Sequence, residues 1–348
     1  YLTRIVQWGN IQWKSFYQAF QGFDNLTSLP TDYPDISGLT DTRAGKMFYN
    51  CPALTSCDLS NWQNTGNFSG DALGMLYGLT KCTTINLTGW DTSNMTNTQD
   101  FMAHCGRTAG GCTVTAPSLN WGGTNTLYRM FYRACVKADS DVSNWTLNAS
   151  GVSLARFFYE AGTFSSPTFN GVTELDMSTW NNTAGINNMQ YFQYNGNAVK
   201  NINVTNWDTS NVTNMFRAFY GCTALEEIIG LSTIDVSSVT DAGDMFYNTR
   251  KLKFDNHNFG SSWNNWAACT GSFDRFFYWN YPNCDSMFQS FYIIKGVTTI
   301  NINITTNSLT DLANFARQAP SLETIVFGSN VDFSAVTSMS HSFYALST

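Results

Sequence analysis

The sequence predicts an α/β solenoid, a leucine-rich-repeat-like array of about 12–13 short strand-plus-helix coils of roughly 27 residues each. Three observations lead there. The phrase INLTGWDTSNMTNTQDFMAHC at residues 85–105 returns as INVTNWDTSNVTNMFRAFYGC at residues 202–222. A Phe-Tyr signature (FYQA, MFYNC, MFYRAC, FFYEA, FFYWN, SFYII) recurs along the chain between Phe16 and Phe343. Inside each unit, apolar residues first alternate and then fall three and four positions apart.

The strand comes first in each unit. Ile202 and Val204 alternate, as do Ile85 and Leu87, Ile229 and Leu231, and Ile302 and Ile304. The stretch that follows has the spacing of one apolar helical face, carried by Met215, Phe216, Phe219, Tyr220 and Cys222 in one unit. Leu312, Phe315 and Ala316 repeat it, as do Val336, Met339, Phe343 and Tyr344. A lone unit cannot bury both faces, whereas stacked units share one continuous core. The whole of 1–348 therefore reads as a single repeat array. Repeats are regular over 36–105 and 201–250, and degraded or carrying insertions over 106–195 and 255–300.

Between strand and helix lies a corner. Asp91, Asp208, Asp235 and Asp332 precede Ser93, Ser210, Ser237 and Ser334 by two residues, ahead of each apolar run. Such residues satisfy backbone donors as N-caps or Asx turns. A calcium ladder is the competing reading, but calcium gathers six to eight oxygens at one place. Only Asp208 and Asp235 fall on successive coils, so the column is read as structural. The Trp column (Trp62, Trp90, Trp145, Trp180, Trp207) gives way to Ile234 and Val331 in sister units, which places it inward. The Tyr column (Tyr49, Tyr220, Tyr247, Tyr344) is expected half-buried with hydroxyls at solvent, in preference to a binding stripe. Cys51, Cys105 and Cys222 share one slot and read as small core residues. Cys105 and Cys135 are the pair placed closely enough for a disulfide to be considered.

Composition narrows the function classes. The chain has 348 residues, 43% hydrophobic and only 12% charged, with a net charge of −7. Its 18 Lys and Arg are never clustered, which argues against a nucleic-acid partner. No stretch approaches the roughly 18 apolar residues of a membrane span. Nine cysteines, an odd number, leave at least one outside any internal disulfide. A start at Tyr1 suggests processing or a segment of something larger. His104, His257 and His341 are far apart in a linear array, and no hydrolase triad, P-loop or zinc motif occurs. The expectation is therefore no enzyme, no cofactor and no metal. Asn-x-Ser/Thr sequons are about as frequent as this Asn-, Ser- and Thr-rich composition gives by chance.

WDTSNMTNT, WDTSNVTNMFRAFYGCTAL and MFYNCPALTSCDLSNW resemble the repeats of BspA-type leucine-rich-repeat surface proteins. The match spans essentially the whole chain. It implies an exported, non-enzymatic protein of adhesion or recognition, located extracellularly, on a cell surface or on a virion. The partner would be a protein or glycan on a cell surface, without membrane insertion. The alternative is a structural subunit of an appendage, fibre or virion coat, assembled through ends that look uncapped and so need covering by further chain or another subunit. Insertions favour loops on one face, which makes Trp279 and Tyr281 the candidate contact residues.

Overall fold

The computed structural model describes residues 2–137, 139–162, 174–231, 234–235, 238–246, 299–302, 311–313, 315–317, 323–327, 332–344 and 346. These residues form a parallel β-solenoid. Its strands are β1 (Ser56–Asp58), β2 (Thr84–Asn86), β3 (Thr113–Thr115), β4 (Val152–Ser153), β5 (Glu174–Asp176), β6 (Ile186–Asn188), β7 (Asn201–Asn203), β8 (Glu227–Ile229), β9 (Thr299–Ile302) and β10 (Thr324–Phe327). The ladders run β1–β2–β3, β4–β6, β5–β7–β8 and β9–β10, all parallel. Register aligns the sister phrases, with Cys57 opposite Ile85 opposite Val114, and Leu175 opposite Ile202 opposite Ile228. Each of these central residues is buried while its neighbours face outward, as the period of two demands.

Each coil turns at corners closed by short polar side chains. One follows the strand, where Asp58, Asn86, Asp176 and Asn203 accept from the backbone N–H two residues on. A second holds Asp91, Asp208 and Asp332. A third holds Asn97, Asn188, Asn214 and Asp241. Between the first two corners sits the Trp column, which is inward: Trp90, Trp145 and Trp207 are at most 5% exposed. The indole N–H of each reaches back one coil, to the carbonyls of Leu59, Ala116 and Met177 at 2.7, 2.7 and 2.9 Å.

Among the described residues the expected helices are not there, and this corrects the α/β reading. Among the described residues the helical pieces are two 3₁₀ turns, Thr65–Asn67 and Thr183–Gly185. The segments with helical spacing are ribbons of tandem tight turns. In one of them Ala218 N–H donates to Met215 and Tyr220 N–H to Arg217, each three residues back. The alternate N–H groups of Met215, Arg217 and Phe219 leave the segment and donate to Asp241, Gly243 and Met245 of the next coil at 2.7–2.9 Å. This pattern needs left-handed residues, and they recur in pairs four apart: Lys46 and Asn50, Asp100 and His104, Arg129 and Arg133, Arg217 and Gly221. Met215, Ala218, Phe219 and Cys222 are buried, so the three-and-four spacing is real but a ribbon produces it as well as a helix.

The physical reason is pitch. An α-helix is about 10 Å across, whereas strands stack about 4.8 Å apart. One helix per coil would force a wedge between the two sides, while a ribbon stacks at the strand spacing. The seven described cysteines are free buried thiols. Cys105 and Cys135 do lie on neighbouring coils, joined by a 2.9 Å backbone bond from Cys135 N–H to the Cys105 carbonyl, without a disulfide.

A far-ultraviolet circular dichroism spectrum is expected to show sheet and turn signal without a helical double minimum. At Lys46, with φ 54°, Lys46→Gly is expected to hold stability within about 1 kcal/mol. Lys46→Val is expected to cost about 2 kcal/mol by urea midpoint, because a β-branched residue resists the left-handed region.

Candidate functional site

The tandem-turn ribbons place one half-buried ring from each coil in a file. Tyr49, Tyr77, His104, Tyr132, Tyr159, Tyr194 and Tyr220 follow one another on successive coils. Centroid separations are 4.4, 5.0, 5.4, 5.4, 4.6 and 4.9 Å. The Tyr49–Tyr77, Tyr159–Tyr194 and Tyr194–Tyr220 pairs are nearly coplanar, within 10°. Ring faces are therefore largely occupied by the neighbouring rings, and the ladder turns edges toward solvent.

Cations flank the ladder from the left-handed positions of the same ribbons. Arg129 lies over Tyr128 and Tyr132, Arg156 over Tyr159 and Tyr191, and Arg217 over Tyr220. Acids from the equivalent position one coil away answer several of them. Arg129 pairs with Asp100, Arg133 with Glu160 at 2.7 Å, and Arg217 with Asp244 at 2.9 Å. The Asp244 carboxylate is 1% exposed, so its guanidinium partner is what makes that burial tolerable. Desolvation and the charges of Arg107, Arg133 and Arg129 push His104 down from its ordinary 6.5 to about 4. It is neutral at physiological pH, and its Nδ1 sits 2.6 Å from the Arg107 guanidinium.

The corner residues read from the sequence lie elsewhere on the coil. The carboxylates of Asp91, Asp208 and Asp332 accept from the backbone N–H of Ser93, Ser210 and Ser334 at 3.0, 3.0 and 2.7 Å. The Ser210 hydroxyl also donates to Asp208, and these bonds hold that carboxyl below its usual range. No helix follows, so these residues close Asx turns and are not N-caps. Asp235 donates its N–H to the Thr209 hydroxyl at 2.8 Å, while Ser237 lies outside the described residues. Among the described residues no group of three or more His, Cys, Asp or Glu is placed to hold a metal ion. Trp279, Tyr281 and Tyr247 also lie outside the described residues.

Sequence reading found the Tyr column but not its continuity, because His104 interrupts the Phe-Tyr signature that identified it. It also passed over the Arg and Asp of the flanking positions. The signal that could have found them is the recurrence of Arg three residues before several of the tyrosines, as in Arg129 and Tyr132, Arg156 and Tyr159, or Arg217 and Tyr220.

The family model described as Mycoplasma protein of unknown function, DUF285, matches residues 12–113, 86–171 and 163–279. The chain belongs to this family. The successive matches overlap at 86–113 and 163–171. No curated protein and no solved structure matches the chain.

The depressed His104 pKa carries a pH signature. A histidine held neutral in the fold contributes its full share of stability above its unfolded pKa, and that share is lost as pH falls from about 6.5 toward about 4. Half-burial reduces the effect to about 1–2 kcal/mol. His104→Asn, the residue found at this point as Asn50 and Asn195, is expected to flatten urea midpoints over that window. An unchanged slope in the variant would place the titration elsewhere.

Proposed function

We propose that this is a non-catalytic surface protein whose ribbon face recognises a protein or glycan on a cell surface. The single observation that carries the reading is the uninterrupted aromatic ladder from Tyr49 to Tyr220 with its flanking guanidinium groups. Such a face offers a phenol edge at six of its seven coil steps and the His104 imidazole at the other, which suits a partner with regularly repeated polar groups. Because the ring faces stack on one another, sugar rings would meet hydroxyl edges and guanidinium groups and would not stack on the aromatics. Pairing of Arg129, Arg133 and Arg217 with acids removes the basic stripe that a nucleic acid needs. The resemblance to BspA-type surface proteins supports an exported location, extracellular, cell-surface or virion-surface.

A second reading, a structural subunit joined end to end, is favoured by one observation. Among the described residues the exposed large apolar side chains are Leu2, Val6, Ile11, Phe23 and Tyr33 in the first coils, and Phe333, Met339, Phe343 and Tyr344 in the last. Further chain or another subunit stacked on these coils would cover such side chains.

The test of recognition is the triple variant Tyr132→Phe, Tyr159→Phe, Tyr194→Phe, which keeps the rings and removes the hydroxyls. The urea midpoint is expected to stay within about 0.5 kcal/mol. Retention on cells or glycan-coated surfaces is expected to fall about tenfold or more. Retention equal to that of the unaltered protein overturns the ladder as the contact face. Particle-bound protein with no such retention favours the structural role.

A further inference from the structure

Hydrogen bonds between ribbons align one left-handed position from coil to coil. The N–H groups of Asp100, Arg129, Arg156, Tyr191 and Arg217 each donate to the carbonyl just before the next member of this series, the last to Gly243 before Asp244. The column therefore runs Asp100, Arg129, Arg156, Tyr191, Arg217, Asp244, with φ between 53° and 59° throughout. Its three guanidinium groups have two carboxylates between them. Arg129 takes Asp100, and Arg217 takes Asp244. Arg156 has Arg129 on one side and Tyr191 on the other, and among the described residues no acid forms an ion pair with it.

Arg156 is held in place but not neutralised. Its Nη1–H donates to the Tyr128 hydroxyl at 2.9 Å, and its guanidinium lies 5.3–5.8 Å from the ring centres of Tyr128, Tyr159 and Tyr191. A guanidinium carries five N–H donors, so most of them are left over. Arg156 is half-exposed, and its nitrogens are not shut away unpaired as the Arg129 Nε is, so the unused donors face solvent. Tyr128 accepts from Arg156 and keeps its own O–H to donate. A fork of N–H donors with a phenol O–H beside it matches the two oxygens of a carboxylate.

The neighbours limit what that carboxylate can belong to. Glu160 shares a ribbon with Arg156, and Asp100 lies two coils away. A chain of closely spaced anionic groups would bring charge against both acids. A ligand with one carboxylate among uncharged hydroxyls would not. The phenol groups of Tyr128, Tyr159 and Tyr191 can each donate and accept, which suits sugar hydroxyls better than the apolar side chains of a peptide.

We infer that the Arg156 guanidinium and the Tyr128 hydroxyl bind the carboxylate of an acidic sugar, with the neighbouring phenols taking its hydroxyls. This rests on the ribbon face being the contact surface proposed above, and it adds the chemistry of the partner there.

The test presents the full chain with immobilised probes: an unsulfated polysaccharide of alternating uronate and neutral sugars, an oligosaccharide ending in a sialic acid, both again with carboxyl groups reduced to alcohols, and an oligoglutamate peptide. Retention on at least one acidic glycan is expected, about tenfold or more above its reduced form. The two glycans separate a sugar within a chain from one at its end. Arg156→Gln and Arg156→Lys introduce residues that this column already holds as Gln18 and Lys46. Arg156→Gln is expected to lose about tenfold or more, and Arg156→Lys less, because lysine keeps the charge without the fork. No retention on either acidic glycan, equal retention of the reduced forms, oligoglutamate held as strongly, or retention untouched by Arg156→Gln would each overturn the inference. If cell retention still depends on the tyrosine hydroxyls in that event, the ladder stands as the contact face and only the acidic-sugar chemistry falls. The comparison of acidic with reduced glycans uses the unaltered protein and so decides even if neither variant folds.

Discussion

Everything in this structure depends on coils stacking at one pitch on every side. On the strand side the parallel ladder sets that pitch. On the opposite side the tandem-turn ribbons match it by sending alternate N–H groups to the carbonyls of the next coil, while groups at the ribbon ends such as Gly106 and Gly162 donate back to the preceding one. The remaining N–H groups close turns three residues back, so the ribbon meets its hydrogen-bond requirement without a helix. The cost is a pair of left-handed residues per coil. Glycine fills some of these positions, as at Gly74 and Gly78, but Lys46, Arg129 and Arg217 also adopt the conformation because their backbone bonds hold them there.

Uniform pitch also explains the surface. Any column of identical residues brings like against like at close range, which suits rings and punishes charges. The tyrosines respond by stacking, each pair contributing about 0.5–1.5 kcal/mol beyond burial. The charged columns respond by alternating sign, with Asp100 beside Arg129, Arg133 beside Glu160 and Arg217 beside Asp244. Arg129 and Arg156 are like-charged neighbours, and each also lies over the tyrosine ring of its own ribbon. A face that is aromatic, with three of its guanidinium groups paired to acids, is thus a consequence of repetition, and the proposed recognition role uses what the fold already requires.

Where the pitch fails, the chain gains a different kind of feature. The step from Val136 to Asp141 is two residues longer than the facing step from Cys112 to Thr115, and the step to Thr179 is lengthened as well, while the Trp column continues through Trp145 and Trp180 at 5.1 Å. The core is continuous behind these longer steps, so a cleft forms with aromatic walls already packed. On the ribbon side, Gln193 is a buried amide without a side-chain partner where sister coils hold Phe48, Leu76, Met102, Phe131, Phe158 and Phe219.

The sequence by itself determined the repeat, the alternating strand residues, the inward Trp column and the polar corners. Each of these is a local pattern: Ile202 and Val204 must share a face, and Asp208 can close a turn with Ser210, whatever lies beyond. Tertiary structure decided between helix and ribbon, because Met215, Phe219 and Cys222 are spaced alike in both and only the partner of the alternate N–H groups differs. It also decided that His104 completes the tyrosine ladder and that Val136 and Leu175 face each other across a cleft. Those outcomes depend on which coils become neighbours and at what distance, and that information is carried by stacking and not by any one stretch of residues.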